Sequence, residues 1–258
     1  TGYTREIAPP EPDAQQNAST ENEQDQSFGR IGRTVYKSSK HTDENDNVWY
    51  AGNQLRGEGI FLHLDPKEHR SSTDILKAFS EEEKETLDGW KEVHKKIEEF
   101  VSANPPQPEE HDIIDLYEME KVQSNPIFVW WHSFVHEFIN QLSIDSGFMT
   151  VSLGERVYCF EKEDGTVSSG IFIYASSPGT DGTLGGLTSL ASKLVLSRII
   201  ERTIQRLRTC SNDPLCSDSK ININRRNGAA CYICLMNPET SCSYRNRFLD
   251  RNLLRGTI

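Results

Sequence analysis

This 258-residue sequence lacks the features that mark several large classes of protein. It has no apolar run long enough to span a bilayer and no charged-then-apolar leader segment, so we expect a cytoplasmic protein outside the membrane. No segment carries the Lys-Ser/Thr end of a nucleotide phosphate loop, and Asn140 stands where an HExxH metalloprotease needs its second histidine. The chain begins at Thr1 rather than at a methionine, so we also expect a piece of a longer protein.

Cysteine is scarce, with six in the chain, but five of the six crowd into the last quarter. A C-x2-C pair with a second pair close upstream is the spacing at which thiolates converge on one tetrahedral zinc ion. The five candidates are Cys210, Cys216, Cys231, Cys234 and Cys242. We predict one structural Zn2+ per chain held by four of them, without Cys159, which lies in an apolar, strand-like segment. The alternative is a group of buried free cysteines that includes a chance pair.

Charge is distributed unevenly along the chain. Residues 191–258 hold 12 basic and 5 acidic residues, which is a local net charge of +7. Because the whole chain has a net charge of −11, residues 1–190 carry a net charge of −18. A basic end on an acidic body is typical of proteins that meet a polyanion or an acidic partner. The alternative is that the two halves neutralise each other inside the fold.

Arginines account for most of this basic end. Arg198, Arg202 and Arg206 repeat every four residues, so a helix places them in one stripe that calls for an anionic group opposite. That group is either nucleic-acid phosphate or the acidic remainder of the chain. The arginines that flank the cysteines are Arg225, Arg226, Arg245, Arg247, Arg251 and Arg255. We predict that the basic end binds DNA or a protein partner.

The hydrophobic pattern predicts an α+β (or α/β) fold with mixed strands, two long core helices and a C-terminal zinc knuckle. Helices are predicted over 80–103, 126–142 and about 184–209. Strand-like pieces are predicted at 32–36, 48–51 and 59–64, followed by a strand pair within 146–160 and 166–176.

Residues 8–27 contain no aromatic or branched aliphatic side chain and are predicted to be disordered. The predicted organisation is an N-terminal segment with a linker over 1–31, an acidic α+β portion over 32–124, and a cysteine-bearing domain over 125–258.

A possible polar site is the rival to a purely structural role. His132 and His136 stand four apart on a core helix, and with carboxylates they could bind Mg2+ or act as acid and base. The members are His132, His136, Glu155, Arg156 and Asp181. In one interpretation these residues form the active site of an enzyme that acts on phosphodiesters, such as a nuclease. In the alternative, the two histidines are half-buried and donate hydrogen bonds to nearby backbone.

The glycine-rich segment SSPGTDGTLGGL, residues 176–187, follows a strand and opens a helix, where phosphate-binding loops occur. Its spacing differs from the nucleotide-binding motifs. Its final glycine pair therefore favours close packing or an unusual turn.

Several motifs together resemble a known family. They are the opening Gly2-Tyr3-Thr4-Arg5, the run WWHSFVHEFINQLSIDSGFMTVSLGERVY, the segment GTDGTLGGL and the run NGAACYICLMNPETSCSYRNRFLDRNLL. Over roughly 125–258 the chain resembles the helicase-associated C-terminal domain of unknown function found in DISARM phage-defence proteins and in mitomycin-repair helicases.

The resemblance implies a zinc-bearing module that works with a superfamily-two DNA helicase, with DNA as a further possible partner. It maps the four zinc cysteines best onto Cys210, Cys216, Cys231 and Cys234, while Cys242 competes for one place. No activity is attached to the domain itself, so we expect a non-enzymatic protein without a dedicated small-molecule ligand. An enzyme and a scaffold that binds only protein stay as alternatives.

Overall fold

The protein is described by a computed structural model. The described residues are 57–64, 81–103, 121–161, 167–175, 185–221 and 226–255. They all belong to one compact unit of the chain. The predictions for residues 8–27, for the pieces at 32–36 and 48–51 and for most of the glycine-rich segment fall outside the described residues. The boundary near residue 124 stays a prediction.

The described residues contain both helices and an antiparallel sheet, and this confirms the α+β class. In chain order the elements are β1 (Glu58–His63), α1 (Glu81–Ala103), α2 (Pro126–Ser146), β2 (Leu153–Glu161), β3 (Val167–Ala175), α3 (Gly186–Ser189) and α4 (Lys193–Leu207), with short 3-10 helices at Thr150–Ser152 and Arg251–Leu254. None of the helices in this part of the chain is long and apolar enough to cross a membrane.

The three strands form one antiparallel sheet with β3 in the middle. Ile171 of β3 lies between Leu62 of β1 and Val157 of β2, so the apolar side chains of the three strands share a face. The alternation of β-branched and polar residues places Ile171 and Ile173 in the core with no exposed surface. This face packs against α2, and the pair of strands predicted from the sequence is confirmed.

Helix α2 is the centre of the core. It begins where the Asn125 side chain accepts a hydrogen bond from the Ile127 amide at 2.9 Å, with Pro126 in the first turn, and it ends at Gly147, whose φ is 76°. Its apolar residues cover nearly the whole circumference, and it contacts β2, β3, α4 and the 3-10 helix at Arg251–Leu254. A helix surrounded in this way can place polar side chains in the interior.

Helix α1 buries one apolar stripe. Leu87, Trp90, Ile97 and Val101 are buried, and the Trp90 indole donates a hydrogen bond to Asp250 Oδ2 at 2.9 Å. This bond joins the first described helix to the C-terminal end of the domain.

The single helix predicted over about 184–209 is wrong, because the structure contains α3 and α4 with a break between them. The break occurs at Ser192, whose extended backbone, with ψ of 139°, starts α4 in a new direction. Gly185 precedes α3 with φ of 123°, and a Cβ on Gly186 would lie 2.4 Å from the Ser146 carbonyl oxygen. The glycine pair therefore serves an unusual turn and a close contact with α2.

Candidate metal centres

Four cysteines come together where two loops after α4 meet. The Sγ–Sγ distances are 3.6 Å for Cys210 and Cys231, and 3.7 Å both for Cys216 and Cys234 and for Cys231 and Cys234. Disulfide sulfurs lie about 2.0 Å apart. Zinc–thiolate bonds of about 2.3 Å in a tetrahedron give sulfur–sulfur distances of about 3.8 Å. The four sulfur atoms therefore have the spacing of a tetrahedral zinc site.

Asp213 holds the first cysteine loop in shape. Its carboxylate accepts hydrogen bonds from the backbone amides of Cys210 at 2.9 Å and Ser217 at 3.1 Å. The guanidinium of Arg251 binds the same carboxylate and has no exposed surface. Arg251 also donates to the carbonyl oxygens of Leu207 at 3.4 Å and Arg208 at 3.2 Å, and so satisfies the end of α4. In the sequence, Arg251 is one of several basic residues beside the cysteines, and nothing there distinguishes its structural role.

The pKa values of the thiols in this cluster are shifted in different directions. Burial raises the pKa of Cys216 to about 11, and it also raises the pKa of Cys234. Burial acts in the same direction on Cys231, but hydrogen bonds from nearby backbone amides and thiols outweigh it and lower its pKa. Because zinc binds thiolates, an ion entering the site would displace protons from the buried thiols.

Cys242 does not lie with the other four cysteines. It is buried against His132, His136 and Glu155, and the ligand atoms of these four residues are within 4.8 Å of one another. Glu155 Oε1 is 3.1 Å from His132 Nε2 and 3.2 Å from His136 Nε2, and Cys242 Sγ is 3.4 Å from His132 Nε2. The side chains of both histidines and of the glutamate have no exposed surface.

The electrostatics of this buried cluster favour its charged forms. Burial alone would lower the pKa of His132 and His136, but the negative charges of Glu155 and Cys242 outweigh burial and raise both. Burial would raise the pKa of Glu155 and of Cys242, but the positive charge of the two histidines outweighs burial and lowers the pKa of both groups. The charged form of each histidine therefore depends on the negative charges of Glu155 and Cys242, and their charged forms depend on the histidines.

The remaining members of the predicted polar site do not join the cluster. Arg156 donates to Ser243 Oγ at 3.3 Å, and Asp181 lies outside the described residues. His132, His136 and Glu155 meet as the enzyme hypothesis required, but they meet in the interior rather than in an open pocket. A substrate would find no surface of these residues to contact.

The arginine stripe on α4 faces carboxylates of α2. Arg202 binds Asp145, and Arg206 Nε lies 3.8 Å from Glu137 Oε1, whereas Arg198 is exposed. Two of the three arginines therefore have an anionic group from the same chain opposite them.

The arginines near the cysteines differ in exposure. Arg226 is 3% exposed, Arg245 and Arg247 are partly buried, and the Arg247 guanidinium lies 5.6 Å from the centre of the Phe248 ring. Arg225 lies outside the described residues. Arg255, by contrast, is exposed, so the described arginines of this group do not share one degree of exposure.

The helix that follows the glycine-rich segment already has an anion at its start. The Glu58 carboxylate accepts hydrogen bonds from the Gly185 amide at 2.7 Å and from the amide and hydroxyl of Thr188, each at 3.0 Å. Burial opposes ionisation of Glu58, but these hydrogen bonds outweigh it and lower its pKa. A carboxylate of the chain thus takes the place that a bound phosphate would need.

Comparison with known proteins agrees with the cysteine geometry. Residues 134–235 match the family described as MZB, the MrfA Zn-binding domain. The chain is also 33% identical over 213 residues to the DISARM protein DrmB of Bacillus paralicheniformis, an alignment that covers 81% of this chain and 33% of DrmB. The chain thus spans about a third of the length of this relative. Both matches confirm the resemblance read from the motifs, which is a resemblance to a helicase-associated zinc-binding domain.

Proposed function

We propose that the chain is a non-catalytic, zinc-bearing module of a DISARM-like anti-phage complex in the cytoplasm, and that it binds the helicase of that complex. The similarity to DrmB supports the setting, and the four-cysteine cluster with its tetrahedral spacing supports a structural role for zinc. Cys210, Cys216, Cys231 and Cys234 are the ligands in this proposal. Four thiolates leave no open coordination position, so the ion shapes the two loops and takes no part in a reaction.

The observation that supports a protein partner is the exposed apolar surface beside the cysteines, and the similarity to DrmB makes the helicase our choice of partner. Tyr232 is 88% exposed, Ile233 is 59% exposed and Leu215 is 76% exposed. Each lies next to a clustered cysteine in sequence, so zinc would hold all three in place. Apolar side chains displayed in this way on a rigid loop are typical of protein–protein contact sites.

Direct DNA binding has less support from the contacts of the arginines. Arg202 and Arg206 lie against carboxylates of α2, and each of these contacts reduces the charge offered to phosphate. Arg198 is exposed and stays available. We therefore place the helicase first and DNA second among the partners.

The proposal of a non-catalytic role rests on two further observations. The cluster of His132, His136 and Glu155 is buried, and Glu58 occupies the start of α3. Neither place offers a surface for a phosphodiester or a nucleotide. The purified chain is expected to hydrolyse neither ATP nor DNA.

Co-purification with the helicase of a DISARM-like complex tests the proposal, with and without DNA. Replacing Tyr232 and Ile233 by serine is expected to weaken the complex about tenfold or more, because exposed aromatic anchors carry much of the binding energy. The matched control is Ile144→Ser, since Ile144 is 68% exposed on α2, away from the cysteines. The control should retain the helicase.

Two results would contradict the proposal. One is equal retention of the helicase by the double variant and the control. The other is retention of the helicase that depends on DNA, disappears when Arg198 is replaced and is unchanged when Tyr232 and Ile233 are replaced. Such a result would identify DNA as the partner.

A further inference from the structure

The buried cluster of His132, His136, Glu155 and Cys242 is not needed for the four-cysteine zinc site and is closed to substrates. We propose that this cluster binds a second zinc ion with two imidazole nitrogens, one carboxylate oxygen and one thiolate as ligands. The chain would then hold two ions where the sequence analysis predicted one. The inference does not depend on the partner of the protein.

The size of the cluster fits a tetrahedral zinc ion. Zinc bonds to these donor types measure about 2.0–2.3 Å, which gives distances of about 3.3–3.8 Å between ligand atoms. The observed distances are 3.1 and 3.2 Å from Glu155 Oε1 to the two Nε2 atoms, and 3.4 Å from Cys242 Sγ to His132 Nε2. A shift of a few tenths of an ångström would bring all four atoms to bonding distance.

The second nitrogen of each ring fixes where the protons are. His132 Nδ1 lies 3.2 Å from the Phe248 carbonyl oxygen, and His136 Nδ1 lies 2.6 Å from the Leu235 carbonyl oxygen. A carbonyl oxygen only accepts, so both Nδ1 atoms carry a proton. In a neutral imidazole each Nε2 then presents a lone pair, the form in which histidine binds a metal.

Those lone pairs face a carboxylate oxygen, an arrangement that is repulsive unless positive charge lies between them. Without a metal, both rings would need to be imidazolium ions, with ring centres 4.6 Å apart and side chains that have no exposed surface. Two adjacent buried cations are costly. One Zn2+ supplies both positive charges at a single point and balances the Glu155 carboxylate and the Cys242 thiolate.

The second oxygen of Glu155 also indicates a missing cation. Glu155 Oε2 is buried and has no hydrogen-bond partner among the described residues. An ionised carboxylate with an unbonded oxygen in the interior is strongly destabilising unless a cation is adjacent. A metal ion beside the carboxylate would remove that cost.

The loop around Cys242 is shaped to hold a thiolate. The backbone amides of Tyr244 and Asn246 donate to Cys242 Sγ at 3.3 and 3.2 Å. Arg245, Asn246 and Phe248 adopt φ values of 56°, 54° and 61°, a left-handed backbone that residues other than glycine seldom adopt. Such conformations persist where the surroundings enforce them, and here they direct two amides to the sulfur and one carbonyl to His132.

The ligand set favours zinc and a structural role. A thiolate with imidazoles selects zinc over magnesium or calcium, which prefer oxygen ligands. All four positions are filled by the chain, so the ion would link α2, β2 and the C-terminal loop. It would cross-link the helix and the sheet, whereas the four-cysteine site links only loops.

Metal content and X-ray absorption of the full chain, purified without added metal, test the inference. We expect two zinc ions per chain, with an average of about 2.5 sulfur neighbours and about one imidazole per zinc. Filling of the four-cysteine site alone would give one zinc with four sulfur neighbours and no imidazole. That outcome overturns the second site and leaves the first one intact.

Two variants assign the ions. Cys242→Ala is expected to retain one zinc with only sulfur neighbours, and the control Cys159→Ala, in β2 but in neither cluster, is expected to retain two. Should Cys242→Ala fail to fold, imidazole nitrogen NMR of the unaltered chain still decides. A metal-bound Nε2 carries no proton, so protons on both ring nitrogens of His132 and His136 would refute the inference.

Discussion

Replacing Arg251 by methionine should destabilise the domain and loosen its four-cysteine zinc site. The Arg251 side chain has no exposed surface, and its guanidinium serves the Leu207 and Arg208 carbonyl oxygens together with the Asp213 carboxylate. Methionine preserves most of the aliphatic stem, so the loss is mainly one of hydrogen bonds and charge. Asp213, which shapes the loop between Cys210 and Cys216, would lose its cation.

The expected loss of unfolding free energy is about 3 kcal/mol. Each buried acceptor left unpaired costs about 1–3 kcal/mol. The Asp213 contribution lies at the low end of this range, because its side chain is 26% exposed and it keeps its bonds to two backbone amides. At about 2–4 °C per kcal/mol for a domain of this size, the Tm should fall by about 6–12 °C.

A thermal melt followed by circular dichroism, together with zinc release to a chelator, measures both effects. Arg198→Met is the control, because Arg198 is exposed on α4. Arg251→Lys should be intermediate, since it keeps the charge but cannot serve three acceptors with a planar group. If Arg251→Met melts and releases zinc like the control, the proposed structural role of the buried guanidinium is wrong.

Three further predictions address the contacts around the core. Glu58→Gln should lower the free energy of unfolding by about 0.5–1 kcal/mol at neutral pH, as measured by urea unfolding. Because hydrogen bonds lower the pKa of Glu58 in the folded state, this loss should become smaller as the pH falls below about 4.3. Trp90→Phe should cost about 1.5–3 kcal/mol in the same assay, because it removes the donor to Asp250. Gly186→Ala should destabilise by about 1–3 kcal/mol despite the higher helix propensity of alanine, since the new Cβ would lie 2.4 Å from a carbonyl oxygen of α2. A neutral or stabilising result for Gly186→Ala in thermal melts would contradict the close packing.

The core elements could be predicted from sequence because their patterns are strong. Helix α2 combines a proline start with apolar residues at helical spacing, and β2 and β3 combine β-branched residues with alternation. The break between α3 and α4 could not be predicted, since Ser192 and the apolar residues before it suit a continuous helix. The close contact of Gly186 with the end of α2 is a tertiary contact, which a helical pattern does not reveal.

The placement of Cys242 was equally beyond sequence reasoning. Its distance along the chain from Cys234 suits a shared zinc site, and only the path of the loop after Leu235 takes it to α2. The sequence did offer one clue, because His132 and His136 were already grouped with Glu155. Together with Cys242, these three residues form the ligand set of the proposed second zinc site.

Asparagine side chains explain how the irregular C-terminal region can hold such sites. Asn227 accepts from the Leu249 amide at 3.0 Å and donates to the Asn246 carbonyl oxygen at 2.7 Å. Asn246 exchanges two bonds with the Asn237 backbone, at 2.9 and 2.8 Å, and Asn237 donates to the His136 carbonyl oxygen at 2.9 Å. The side-chain amides of Asn227 and Asn246 both donate and accept, so this chain of bonds satisfies backbone groups that a sheet would satisfy by pairing strands. Freed from regular pairing, the backbone can direct amides to a sulfur and carbonyls to imidazoles. The polar composition that hides this region from periodicity is therefore the composition that lets loops shape the four-cysteine cluster and the buried cluster around Cys242.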